Sequence, residues 1–187
     1  MKIDAFFQKE TGQFIFSSEY FEEMSALNNS PLVLMKPFGL TISTDGQRPI
    51  LLLKDDSGDH SLPVGLNPLE AGVTLSQSNR TNATTPHRFT EQLLAGMDIR
   101  ISKAVFCEIK AQNQFLFICL ENHPKVTMIK VRADEAMSLL LHLDVPLYAS
   151  HAFIAKSKVL STEVDQSRKN VLANAHLIIE KNLGYLQ

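Results

Sequence analysis

The sequence predicts an α+β fold: an antiparallel or mixed sheet with barrel-like curvature, about three helices packed on it, and a further C-terminal helix. Three stretches carry that prediction. Arg48 to Ser76 reads as strand, tight turn, strand and helix in quick succession. Ile101 to Val131 reads as three consecutive strands. Asp134 to Leu143 is apolar nearly all round, the pattern of a deeply buried helix.

Taken in order, residues 1–30 form an N-terminal extension in which Phe6, Phe7, Phe14 and Phe16 suggest two short strands around Thr11-Gly12. A helical turn from Ser18 to Leu27 follows, and Asn28 to Pro31 is a loop and the expected boundary. Leu32 to Met35 and Gly39 to Ser43 are extended segments joined by Lys36-Pro37-Phe38, and Asp45-Gly46 marks a hairpin turn. Pro49 to Leu53 is a short continuous apolar run, expected to be buried on both faces. Lys54 to His60 turns the chain, with Gly58 free to take positive φ. Leu62 to Leu66 returns, and Pro63, lacking an N–H, prefers an edge or a bulge.

Asn67 and Pro68 are a cap and first-position pair for a helix with Leu69, Gly72, Val73 and Ser76 on its apolar stripe. Glu70, Thr74 and Gln77 are expected to turn away from that stripe. Ser78 to Thr85 is a polar loop, and Thr85-Pro86 opens a second helix with Phe89, Leu93, Leu94 and Met97 on one face. After the three strands, Asp134 and Glu135 lie near the positive end of the apolar helix. Val145 to Tyr148 is a short last strand. Residues 157–187 form a C-terminal helical extension whose stripe is Val164, Val171, Ala175, Ile178 and Ile179.

The 187 residues are 44% hydrophobic and 20% charged, the balance of an ordinary globular protein with a core of useful size. A net charge of −2 gives no global positive field to draw the chain to nucleic acid, although a local basic groove is compatible with that average. No apolar run reaches the roughly 18 residues of a membrane span, and no secretory signal pattern opens the chain. Cys107 and Cys119 are expected to be reduced thiols of a cytoplasmic protein. With a turn at Gln112-Asn113, Cys107 would face Ile118 and Cys119 would point to the other side of the sheet.

Four separated motifs carry a family resemblance. LLLKD, LPVGL and PLEA in the 51–71 region resemble a strand of the form VLL(E/D) joined to LPI-x-IG-P-x-EA. Pro86-His87-Arg88 stands where that family has Thr-His-Asp, and Arg132 to Ala136 where it has Arg-Pro-Ser-Asp-Ala. Val145 to Tyr148 resembles its VPIY. The domain over residues 31–156 is thereby similar to the bifunctional nuclease family, formerly a domain of unknown function. Arg88 replaces an acidic residue of that pattern, and Glu135 stands where it has Asp.

The resemblance implies a nuclease of broad specificity acting on RNA and DNA, with catalytic residues Glu70, His87 and Glu135. Arg80, Arg88 and Arg132 are the candidate phosphate contacts, Arg80 and Arg88 flanking a polar loop beside His87, where a solvated surface is the plain reading. A divalent ion, Mg²⁺ or Mn²⁺, would be held by Glu70, Asp134 and Glu135, since phosphodiester hydrolysis generally needs activated water and charge stabilisation. Each of these residues also has a plain structural reading: a first-turn acid beside a helix dipole for Glu70, Asp134 and Glu135, and a capping or packing histidine for His87. Asp55 to His60 reads either as a metal loop or as a solvated turn. The competing function is a non-catalytic binding or assembly module on the same scaffold. A homodimer is expected, since an apolar C-terminal stripe needs cover.

Overall fold

The computed structural model describes residues 30–43, 48–78, 85–123 and 125–158. The strands expected before Ser30, the turn at Asp45-Gly46, Arg80 and the C-terminal helix lie outside those residues. The described strands form one seven-stranded mixed sheet. They are β1 (Leu32–Ile42), β2 (Pro49–Lys54), β3 (Ser61–Gly65), β4 (Arg100–Lys110), β5 (Asn113–Glu121), β6 (Met128–Arg132) and β7 (Leu147–Ser150). The helices are α1 (Pro68–Ser78), α2 (His87–Gly96), α3 (Ala133–His142) and α4 (residues 151–158). The order across the sheet is β3-β2-β1-β7-β4-β5-β6, with β4 and β7 parallel and the other neighbours antiparallel. The fold is α+β, and the sheet is curved without closing into a barrel.

β1 explains the curvature. The two extended segments expected there are one strand, and a register shift between Pro37 and Gly39 leaves Phe38 as an extra residue. Leu32 to Met35 pair with β7 and Lys36 to Ile42 with β2, so the bulge lies just past the point where the strand changes partner. β3 forms one edge, and Pro63 sits in it as expected. The Gln114 amide on β5 donates to the Pro63 carbonyl at 2.9 Å and to the Ser157 hydroxyl on α4 at 2.7 Å. These bonds draw the β3 edge towards the far side of the curved sheet.

The core lies between the concave face and α3. Leu51, Leu53, Leu62, Val64, Phe106, Leu116, Met137 and Leu140 are buried there. On β2 only Leu51 and Leu53 are fully buried, so its second face is half-covered where burial on both faces was expected. The other face of β4 and β5 holds a smaller cluster around Val105 and Phe117.

Both cysteines belong to that second cluster, which corrects the expectation that they face opposite sides. The β4–β5 turn is Ala111-Gln112, with φ of 48° and 65°, one residue earlier than anticipated. Positive φ at both central residues gives the twist that matches flanking strands. A bulge between Phe106 and Glu108 then leaves Cys107 outside the ladder, its thiol donating to the Phe115 carbonyl at 3.4 Å. Neither cysteine is in a disulfide.

Candidate functional site

The site is built where α1 and α2 meet α3. α1 begins as its sequence indicates: the Asn67 side-chain oxygen accepts the Glu70 amide at 2.8 Å, and Pro68 is the first helical residue. The face it buries is the reverse of the expected one. Leu69, Gly72 and Ser76 are exposed, whereas Thr74 is buried and Glu70 and Gln77 are half-buried.

The physical reason is polar anchoring. The Asn67 amide donates to the Asp134 carbonyl at 2.6 Å, and a Glu70 carboxylate oxygen accepts the Ser138 amide at 2.9 Å. Asp134 and Ser138 are four apart on α3, so α1 grips the two backbone groups that span one turn of the neighbouring helix. Charge-assisted bonds of this kind outweigh the modest gain from turning the short apolar stripe inwards.

Ser138 is fully buried, and its hydroxyl lies 2.7 Å from His87 Nε2 on α2. Burial lowers the His87 pKa below the usual histidine value, with Glu70 pulling it upwards and the neighbouring His142 adding to the drop. The His87 and His142 ring centroids are 5.9 Å apart, and His142 Nε2 lies 3.0 Å from a Glu91 carboxylate oxygen. α3 thus carries a polar row, Asp134, Ser138 and His142, each one turn beyond the last.

The first member of that row anchors two arginines. Asp134 is buried and accepts both Arg132 Nε at 2.9 Å and Arg132 Nη2 at 2.6 Å. Arg48 Nη2 stands 3.9 Å from the same carboxylate. The Arg48 guanidinium lies over Gly65, where an added Cβ would fall 2.6 Å from its central carbon. The absence of a side chain at Gly65 therefore leaves room for it.

Glu70 and His87 are brought together through Ser138. Glu135 is not part of that junction: its side chain is 60% exposed and pairs with Arg132 at 3.5 Å. Arg88 is exposed on α2, and Arg132 is engaged by Asp134. Among the described residues, no three His, Cys, Asp or Glu side chains converge to hold a metal ion. Glu70 is engaged by the Ser138 amide, whereas Asp134 and Glu135 both pair with Arg132, so the three do not converge as a ligand set for Mg²⁺ or Mn²⁺.

Sequence reasoning missed Asn67 as an inter-helix bond, and missed Ser138, His142 and Arg48 altogether. The available signal was the four-residue spacing of Asp134, Ser138 and His142 on an otherwise apolar helix.

Among the described residues no helix is long and apolar enough to cross a membrane. No family model matches the chain. Two proteins from two strains of Mycobacterium tuberculosis, both described only as uncharacterized, are each 20% identical to it over 124 residues. The likeness covers 65% of this chain and 74% of each relative.

Proposed function

We propose that this chain is a non-catalytic binding and assembly module that forms a homodimer through α2. The observation that carries this is the helix itself. None of its ten residues is buried, and Phe89, Leu93 and Met97 stand 72%, 48% and 50% exposed. Spaced four apart, they make one apolar stripe along the outer face. A row of large exposed apolar groups on one helix is a liability unless something covers it.

A second copy fits that stripe by symmetry. Two α2 helices crossing antiparallel about Leu93 bring each Phe89 opposite the other chain's Met97.

Sedimentation velocity tests it. The wild type is expected to run as a dimer of 20.9 kDa subunits at micromolar concentration. Leu93→Glu should yield monomer. A wild-type monomer at that concentration overturns the proposal.

The nuclease implied by the resemblance is the second reading. The meeting of Glu70 and His87 at Ser138 favours it, since these are two of the three residues the resemblance puts in catalysis. On that reading Arg48 and Arg132, both part-exposed beside Asp134, contact phosphate. Purified protein should then degrade single-stranded RNA or DNA with Mg²⁺ or Mn²⁺ and lose this with chelator. Glu70→Gln and Glu135→Gln should each slow it by about a hundredfold. Rates unchanged in both variants would assign the activity to a contaminant.

A further inference from the structure

The turn between β2 and β3 carries a side-chain arrangement that neither reading above uses. Asp55 organises it. One carboxylate oxygen accepts the His60 backbone amide at 3.1 Å. The other accepts the Ser57 hydroxyl at 2.8 Å and lies 2.8 Å from His60 Nδ1. An ionised carboxylate only accepts, so the proton of this contact resides on His60 Nδ1. In neutral His60 that leaves the lone pair on Nε2.

That nitrogen points at a second imidazole. His60 Nε2 lies 3.2 Å from His151 Nδ1, and the rings meet edge to face with centroids 4.7 Å apart. His151 is the first residue of α4, whose start is fixed by the Ser150 hydroxyl accepting the Phe153 amide at 3.1 Å. Two nitrogens bound tetrahedrally to one zinc at about 2.0–2.1 Å stand about 3.3 Å apart, close to the spacing here. A carboxylate on the far nitrogen of a ligating histidine orients the ring and raises its basicity. The His60 side chain is part-exposed and His151 is exposed, so water can complete the coordination. The positive end of α4 opposes a cation at this point, and the Asp55 charge offsets it.

We propose that His60 and His151, with Asp55 orienting His60, form a two-imidazole site for a transition-metal ion of the zinc and copper class. The site differs from the hard-cation site implied for nuclease chemistry: imidazole nitrogen selects zinc, copper or nickel, whereas carboxylate oxygen selects magnesium or manganese. It also joins the β2–β3 turn to α4, so an ion bound there cross-links two elements far apart in sequence.

Calorimetric titration of the full chain with Zn²⁺, and Cu²⁺ binding followed by paramagnetic resonance, tests the proposal. The expected result is one high-affinity equivalent with hyperfine coupling to two imidazole nitrogens. It should be lost in His60→Gln and in His151→Gln, and weakened by about 10–100-fold in Asp55→Asn. His151→Gln changes an exposed side chain at a helix start, so circular dichroism can confirm that this variant folds even if the turn variants do not. Equal stoichiometry and affinity in wild type and His151→Gln would overturn the site, leaving the two histidines sharing a proton only.

Discussion

Ser138 links more of the candidate site than any residue in the motifs that resemble a known family. Its amide serves Glu70, its hydroxyl serves His87, and it is fully buried on the helix that fills the core. Glu70 and His87 were legible because they stand in motifs. Ser138 was not, because a lone serine among leucines has no sequence signature apart from its spacing to Asp134 and His142. The His87 environment gives a pH dependence whose sign follows from its lowered pKa. As pH falls, the unfolded chain protonates this histidine near its ordinary 6.5, before the folded chain does. The stabilisation is therefore complete above that value and is lost as pH falls through the folded pKa. Urea unfolding at about pH 7.5 and about pH 5.5 should show a smaller loss on acidification in His87→Gln than in wild type. Equal losses in the two proteins would mean that His87 does not contribute. Ser138→Ala should separately cost about 0.5–1.5 kcal/mol, the usual net worth of one hydrogen bond.

The three long described helices differ in how well periodicity reveals their faces. α3 was the clearest, since apolar residues on nearly every side leave one arrangement, and only Glu135 in it is exposed. α1 inverted its expected face because hydrogen bonds to the α3 backbone decide its rotation, and those partners lie more than sixty positions away in sequence. α2 has a stripe as regular as a core helix, and nothing local distinguishes a face covered by this chain from one left outside. Substitutions separate these cases. Leu140→Ala on α3 should cost about 2–5 kcal/mol, as a fully buried leucine commonly does. Leu93→Ala on α2 should change the stability of the monomer by no more than about 0.5 kcal/mol, as at an ordinary surface position. Comparable losses in thermal or urea unfolding, measured where the protein is monomeric, would mean that α2 packs on the core.

At the scale of the molecule, strand order and curvature rest on features that sequence alone reveals unevenly. The Pro63 edge was legible, because a residue without an N–H is poorly tolerated in a central strand. The parallel β4–β7 pairing was not, since it joins strands separated by more than thirty residues and has no turn signal of its own. Nor was α4, eight residues that follow β7 and supply Ser157. Gln114 ties these parts together, holding the β3 edge through Pro63 and α4 through Ser157. Its removal leaves the Pro63 carbonyl with a 3.4 Å contact to the Ser157 hydroxyl, a poor substitute in length. Gln114→Ala should therefore cost about 1–3 kcal/mol, the range for stranding part-buried polar groups. If the clasp maintains the curvature, the effect will be local as well as global: β3 and α4 amides should gain hydrogen exchange ahead of those in β4 and β5. Uniform acceleration across all strands would locate the loss in overall stability and leave the clasp without a role in holding the edge.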